Sequence, residues 1–218
     1  CNIVDSNVAV PEGIEFIGDN AFNKCSESME TVILPTTLKK IGESAVSNCS
    51  KLKNIVLPEG LTWIDNNAFL RCTELTEINI PESVQFVGES AFNACSSLKK
   101  INFLHSVAGA IDYSRVYNTL SAHCFAGCRS LEHFEIPEGI EYVGEAAFIN
   151  CTSLFDVKIP DSVVFLDNRA FYGCLLMEKI KLARGVEKIG LEVFPCGTAG
   201  FGLNTTTVTF NEIIVDEE

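Results

Sequence analysis

Apolar and polar positions follow one another along this chain in a unit that repeats about every 23 residues. Aligned on cysteine, the unit reads C-x-x-L-x-x-I-x-I-P-x-x-V-x-x-I-G-x-x-A-F-x-x, and residues 72–94 follow it closely. The I-x-I stretch has the period of two expected of a strand with one inward face. The proline ends that strand because it cannot donate to a ladder. Self-similarity at this period indicates a solenoid, in which stacked coils bury one another's apolar faces.

Cysteine and proline columns set the register of the repeat. The column cysteines step by 24, 23, 23, 33, 23 and 23 residues, so one interval carries ten extra residues. They are Cys25, Cys49, Cys72, Cys95, Cys128, Cys151 and Cys174. We predict one domain over residues 1–218, with about seven to eight repeats, an insertion within 105–121 and a polar cap at about 195–218. The predicted fold class is a repeat solenoid, a right-handed coil that is mostly short parallel β-strands and loops, with short helical turns.

Two further columns make specific structural predictions. A glycine column recurs after the second apolar pair of each unit, with aspartate in two places, and we expect a left-handed corner there because both residue types tolerate positive φ. Its members are Gly18, Gly42, Asp65, Gly88, Gly144, Asp167 and Gly190. The A-F pair predicts a short turn or helical turn whose aromatic ring enters the core. That phenylalanine column comprises Phe22, Phe69, Phe92, Phe125, Phe148, Phe171 and Phe194, with Val46 as the exception.

The pattern L-x-x-I-x-I-P-x-x-V-x-x-I-G-x-x-A-F-x-x-C resembles the BspA-type leucine-rich repeat. About eight positions recur in register from Cys1 to Phe194, so the resemblance covers most of the chain. It implies a leucine-rich-repeat fold and a cell-surface or secreted protein of the adhesin or host-interaction kind. It brings no catalytic residues and no cofactor. The resemblance therefore favours a non-enzymatic binding module that is extracellular or at the cell surface, with a structural spacer of a larger surface protein as the alternative.

Departures from the repeat leave two alternatives open. Cys1 lies ten residues before Pro11 and fits the cysteine column, although an N-terminal cysteine can also be a lipoprotein anchor. The ten-residue insertion carries Tyr113, Arg115 and Tyr117, and insertions in solenoids are often functional. A tolerated surface loop is the other interpretation, because lengthening a loop costs little.

The in-register cysteines are predicted to be buried core thiols that are mostly reduced. Stacked coils bring column cysteines near one another with parallel side chains, whereas a disulfide requires specific dihedral angles. His123, Cys124 and Cys128 lie close in sequence, but zinc needs converging ligands and no CxxC pair exists. No histidine is tied to a cysteine by a nucleophile motif. We therefore expect neither a metal site nor an enzyme.

Charge narrows the class of partner. The formal net charge of −13 disfavours binding to nucleic acid and to anionic membrane surfaces. The sequence contains no run of 18 apolar residues, so no membrane span is predicted. The outward columns of the I-x-I strands contain six lysines and six acidic residues, so the net charge lies elsewhere. A neutral, mixed-charge strand face suits a protein partner, such as a host protein, or a glycan. The alternative is that lysine and glutamate simply solvate the sheet.

The predicted contact surface combines these outward columns with the insertion, because tyrosine and arginine are favoured interface anchors. Repulsion from the acidic remainder leaves this face the easier approach for an acidic partner. The candidate binding residues are Lys53, Asn79, Lys99, Lys100, Asn102, Tyr113, Arg115, Tyr117, His133, Phe155, Lys158 and Lys181.

Overall fold

The computed structural model is a β-solenoid in which each coil contributes two short strands. It describes residues 6–23, 25, 28–104, 118–177, 179–195 and 212–215. Over these ranges it contains seventeen strands and no helix, and hence no helix that could cross a membrane. The predicted solenoid of short parallel strands is confirmed, but the short helical turns are not found in these ranges.

The odd-numbered strands form what we call the first face. They correspond to the I-x-I stretches of the repeat and pair in parallel, each residue opposite its equivalent in the next coil, as Thr31 opposite Asn54. The ladder is interrupted between β5 and β7, between β9 and β11, and between β13 and β15. The strands are β1 (Asn7–Ala9), β3 (Thr31–Ile33), β5 (Asn54–Ile55), β7 (Glu77–Ile80), β9 (Lys100–Phe103), β11 (His133–Glu135), β13 (Asp156–Lys158), β15 (Lys179–Leu182) and β17 (Glu212–Val215).

The even-numbered strands form a second sheet, which we call the second face. Each ends on the second apolar position of the repeat, and in most of them this last residue is buried, whereas Ile189 at the end of β16 is exposed. The ladder runs through β2, β4, β6 and β8, and again through β10, β12, β14 and β16. The strands are β2 (Phe16–Ile17), β4 (Lys40–Ile41), β6 (Trp63–Ile64), β8 (Phe86–Val87), β10 (Thr119–Leu120), β12 (Tyr142–Val143), β14 (Phe165–Leu166) and β16 (Lys188–Ile189).

The phenylalanine column is the spine of the core, as its register predicts. The rings of Phe69, Phe92, Phe125, Phe148 and Phe171 are fully buried. Neighbouring rings stack with centroids 5.1–5.7 Å apart, from Phe69 to Phe171. Offset stacking of this kind adds to the free energy of area burial. Because every ring packs on its neighbours, each coil depends on the next for its core.

The A-F segment is a run of β-turns joined to the next coil. Alternate N–H groups close turns within the coil, as Ala45 N–H to Gly42 O, and the others donate to the following coil, as Val46 N–H to Ala68 O. An α-helix keeps all of these bonds within one segment. Here residues in the left-handed region at both ends, such as Ser44 (φ 55°) and Asn48 (φ 60°), turn the peptides outward. The coils are thereby hydrogen-bonded along this edge, which explains why no helix forms.

The expected left-handed corner at the glycine column is wrong. The left-handed residues lie two positions later, at residues such as Ser44, Ser90 and Ala146. At several positions of the column glycine is required for space: a Cβ on Gly88 would lie 2.5 Å from Asn66 N, and one on Gly144 would lie 2.7 Å from Leu120 O. Positive φ at glycine is found instead in two Pro-Glu-Gly corners, at Gly13 and Gly139 (φ 90° and 91°), and at Gly127 and Gly173 (φ 70° and 77°).

This steric role predicts that Gly88→Ala destabilises the protein. The new Cβ meets backbone of the preceding coil, which can yield only by moving, so we expect a loss of about 1–3 kcal/mol in the free energy of unfolding, measured by urea denaturation. Gly18→Ala is the matched control, because it makes the same change in the same column with nothing within 4 Å. Equal losses in the two variants would contradict the steric explanation.

The cysteine column consists mostly of buried free thiols. Cys49, Cys72, Cys95, Cys128, Cys151 and Cys174 are free and buried, as is Cys124 in the alanine position of its coil. Each column thiol donates to the carbonyl of the phenylalanine-column residue one coil earlier, as Cys95 Sγ to Phe69 O at 3.1 Å and Cys151 Sγ to Phe125 O at 3.1 Å. Cys25 is the exception, because it is disulfide-bonded.

Candidate functional site

The first face exposes the side chains that the repeat places outward. Lys53, Asn79, Lys99, Lys100, His133, Phe155, Lys158 and Lys181 are exposed, and Asn102 is half-buried. The residues between them, such as Ile78 and Val157, are buried in the core. This alternation follows from the strand period. Tyr113, Arg115 and Tyr117 lie outside the described residues.

Charges on this face are matched between adjacent coils. Lys53 pairs with Glu30 at 2.9 Å, Lys100 with Glu77 at 3.5 Å, and His133 Nδ1 lies 3.1 Å from Asp156. Lys158 pairs likewise with Glu135, and Asn102 Nδ2 donates to Asn79 Oδ1 at 2.6 Å. The neutrality of the face therefore arises from inter-coil pairs, which contribute little stability where they are exposed.

Hydrogen bonds to carboxylates set the pKa values that shift on this face. The bond to Glu30 raises the pKa of Lys53, and the bond to Glu135 raises that of Lys158. The pKa of Glu74 is lowered by its bond to Lys51. Lys99 forms no ion pair within the described coils. Its charge is therefore available to a partner that approaches the first face.

A groove opens on the first face where the ladder between β9 and β11 is interrupted. Its volume is about 670 Å³. It brings together four predicted residues, Lys100, Asn102, His133 and Lys158, with others that the sequence did not single out. The additional lining is Ile101, Phe103, Phe134, Glu135, Ile136, Pro137, Glu138, Ile159 and Pro160. The groove thus combines an apolar floor with charged sides.

The insertion lies in the chain between β10 and β9, the strand that lines one side of this groove. It follows β9 and precedes β10, at the corner where other coils pass from the first face to the second. Leu104 stands here in place of the proline and is exposed, and Phe103 packs edge-on against Phe134 at 6.2 Å. Phe103 occupies a position that is isoleucine or leucine in most coils, which is the signal that could have located the groove.

An outward column on the second face, which sequence reasoning missed, is rich in aromatic side chains. It contains Phe16, Lys40, Trp63 and Phe86 in one register, and Thr119, Tyr142, Phe165 and Lys188 in a second register after the interruption between β8 and β10. We call this column the aromatic ladder. In the sequence, this column is the residue directly before the apolar position that precedes the glycine column. This residue is aromatic in five of the eight coils.

The ladder holds two aromatic pairs, each capped by a lysine. Trp63 stacks on Phe86 at 4.2 Å, and the ammonium of Lys40 lies 5.6 Å from the Trp63 ring. Tyr142 meets Phe165 edge-on at 6.4 Å, and the ammonium of Lys188 lies 4.8 Å from the Phe165 ring. Ring faces attract cations through their quadrupole. The ladder therefore already holds two cations of this chain.

Lys40 also forms an ion pair with Asp65 at 2.8 Å. Partial burial raises the pKa of the Asp65 carboxyl, but the hydrogen bonds from Lys40 and from the Asn66 N–H outweigh it, so this pKa lies below its ordinary value. The pair fixes the ammonium of Lys40 beside Trp63, at the outer end of the first aromatic pair.

The three residues weighed as metal ligands do not converge. His123 is exposed in a left-handed turn, whereas Cys124 and Cys128 are fully buried. Burial raises the pKa of both thiols, so they remain protonated rather than nucleophilic. In the parts of the chain that the structure describes, no three His, Cys, Asp or Glu side chains are arranged to hold a metal ion.

The family model described as BspA type leucine rich repeat region matches the chain in six copies, over residues 1–115 and 118–212. Among solved structures, a leucine-rich repeat protein from Bacteroides ovatus ATCC 8483 is similar, with 27% identity, a TM-score of 0.74, and coverage of 86% of this chain and 46% of that one. The chain thus spans less than half the length of that protein. No curated protein matches the chain.

Two further structures are similar to this chain. The T. pallidum leucine rich repeat protein has 26% identity and a TM-score of 0.57, with coverage of 89% of this chain and 77% of that one. A leucine rich cell surface protein from Faecalibacterium prausnitzii A2-165 has 25% identity and a TM-score of 0.51, with coverage of 85% and 59%. All three are bacterial leucine-rich-repeat proteins.

Proposed function

Since the chain belongs to the BspA-type leucine-rich-repeat family, we propose that it is a non-enzymatic module that binds a protein partner on its first face. The observation that carries this proposal is the groove of about 670 Å³ at the interruption between β9 and β11. Pockets with an apolar lining and a few polar groups are where proteins bind ligands. Repeat proteins use extended faces of this kind as binding surfaces.

The partner that fits this site is an acidic polypeptide segment. Lys99 is exposed and forms no ion pair within the described coils, and the Lys100 side chain is 63% exposed beside it. The remainder of the molecule is strongly acidic, with a formal net charge of −13. An acidic segment is therefore repelled from the other surfaces and has its easiest approach at the first face.

We also place the module outside the cell or at its surface. The support is the likeness to a protein described as a leucine rich cell surface protein. A spacer within a larger surface protein would have the same fold without a binding preference on either face, so a binding measurement separates the two functions.

Lys99→Gln/Lys100→Gln tests the site against the binding of a fluorescent nona-glutamate peptide, measured by anisotropy at low salt. Loss of Lys100 at the groove and of Lys99 beside it should weaken binding about fivefold to tenfold. Arg71→Gln/Arg129→Gln is the matched control, because it removes two exposed positive charges from the turn edge. We expect it to weaken binding less than about twofold.

Serine at Tyr113, Arg115 and Tyr117 tests the insertion separately with the same peptide. A contribution of these residues should appear as a further loss of binding in that variant. Two results would contradict the binding function: groove and insertion variants that both fold and bind like the parent, or a parent that does not bind the peptide. In either case the first face is solvated sheet, and the spacer function is supported.

A further inference from the structure

The aromatic ladder is interrupted at its centre by Thr119. In order along the stack, it reads as a lysine, two rings, Thr119, two rings and a lysine, from Lys40 to Lys188. The outer ring of each pair is capped by a lysine of this chain. The inner rings, Phe86 and Tyr142, lie on either side of Thr119. The two halves of the ladder thus mirror one another about this residue.

The strand pairing of the second face is interrupted at Thr119, because β8 and β10 are not paired. Phe86 and Tyr142 are two coils apart, an interval of about 10 Å where strands pair regularly. A planar group between two rings needs about 3.5–4 Å on each side, so the interval has room for a flat cation. The coils are held together here along the turn edge, by Ser90 N–H to Ala122 O at 3.0 Å, and by Ser121 Oγ to Val87 O at 2.6 Å. Thr119 therefore lies between two aromatic residues of the aromatic ladder, and we call this position the slot.

Carboxylates occupy the two columns that flank the aromatic ladder near this slot. Glu89 follows Phe86 by three residues, and Glu145 follows Tyr142 by the same number, so both lie in one outward column beside the ladder. Both are exposed, and neither forms a salt bridge within the described coils, where Arg169 pairs with Glu192 instead. Glu141, on the other side, accepts a bond from Asn118 at 3.1 Å. Acidic residues of the first face, by contrast, are largely paired with lysines.

Aromatic rings and unpaired carboxylates both favour cations. The strip formed by the ladder and its two flanking columns holds seven carboxylates and three lysines, a net charge of −4, whereas the first-face columns are neutral. The carboxylates are Glu15, Glu141 and Glu187 on one side and Asp19, Glu43, Glu89 and Glu145 on the other. This charge is the complement of a basic polypeptide.

We infer that the second face is a separate docking surface for a basic polypeptide, one of whose arginine side chains enters the slot between Phe86 and Tyr142. The guanidinium stacks between the two rings and pairs with Glu89 and Glu145 at the rim. The inference goes beyond the first-face site, since it concerns another sheet and a partner of opposite charge. The two sites can therefore fail independently.

Trp63 provides a direct readout. It is the single tryptophan of the chain and stacks on Phe86, next to the slot. We expect a nona-arginine peptide to change the tryptophan fluorescence of the whole chain saturably, and nona-glutamate to leave it unchanged. A change that a neutral oligosaccharide produces equally well would overturn the assignment to a basic polypeptide.

Glu89→Gln/Glu145→Gln should weaken nona-arginine binding about fivefold to tenfold at low salt. The matched control is Glu59→Gln/Glu82→Gln, which removes two exposed carboxylates from the Pro-Glu corners and changes the net charge equally. Its expected loss is below about twofold. Equal losses in the two variants would show that the peptide senses only the overall charge, and an unchanged tryptophan signal on binding would place the peptide elsewhere. Either result overturns the slot.

Discussion

Phe92→Ala and Phe148→Ala are each expected to lower the free energy of unfolding by about 3–5 kcal/mol, the usual cost of removing a buried ring. Both side chains are fully buried, and each stacks on rings above and below it, so the cavity borders two further coils. Urea denaturation monitored by circular dichroism measures the loss.

Phe155→Ala is the matched control for these variants. It makes the same change on the first face, where the ring is 44% exposed and only meets the edge of His133. We expect it to cost about 1 kcal/mol or less. Similar costs for the buried and the exposed phenylalanines would show that the column is not the core.

Alkaline pH should destabilise the protein by several kcal/mol through its buried thiols. Burial raises the pKa of Cys49 from 9.0 to about 11 and that of Cys174 from 9.0 to about 12. Burial also raises the pKa values of Cys124, Cys128 and Cys151, and hydrogen bonding to Cys95 together with burial raises that of Cys72.

The sign follows from which state retains the proton. Unfolded thiols ionise near pH 9.0, whereas the folded ones stay protonated. Their stability is therefore intact below pH 9.0 and is lost above it, until the pH reaches the folded pKa, about 11 for Cys49. Each thiol costs about 1.4 kcal/mol per pH unit in this window. Urea denaturation at pH 8, 9 and 10 should show the decline.

Cys124→Ala isolates the contribution of one thiol. Alanine fits the site, because the equivalent position is Ala45, Ala68, Ala91, Ala147 or Ala170 in other coils. Between pH 9 and 10, the free energy of unfolding should fall by about 1 kcal/mol less in the variant than in the parent. Tyrosine and lysine side chains contribute equally in both proteins. Parallel pH profiles would contradict the assignment. Before unfolding, the buried thiols should not react with a thiol reagent at pH 8.

The repeat and its core could be predicted from the sequence because one register recurs in every coil. Once Cys72, Pro81 and Phe92 are aligned with their equivalents, the strand period decides which side chains face inward. The outward lysines and His133 of the first face follow from the same alternation. The pairing of Lys100 with Glu77 does not follow from this alternation, because it depends on which side chains are adjacent across coils.

Other features depend on contacts between coils that one unit does not reveal. The glycine column suggests a backbone conformation, whereas the structure shows a steric reason, the approach of Asn66 and its equivalents. The second face could not be predicted from the sequence, because each even-numbered strand has two residues, too few for a periodic pattern. Its aromatic ladder emerges only when Trp63, Phe86, Tyr142 and Phe165 are superposed by stacking. The groove likewise arises where the strand pairing between β9 and β11 is interrupted, rather than from a sequence motif.

We propose that the two sheets are separate binding surfaces of opposite charge preference. Backbone amide chemical shifts of the isotope-labelled chain, titrated in turn with nona-glutamate and nona-arginine, test this proposal. We predict that the acidic peptide shifts amides of β9, β11 and β13 around Lys100 and His133, and that the basic peptide shifts amides of β6, β8, β10 and β12 around Phe86 and Tyr142. Shifts that both peptides produce on the same strands, or that scatter over the acidic surface without saturating, would contradict it.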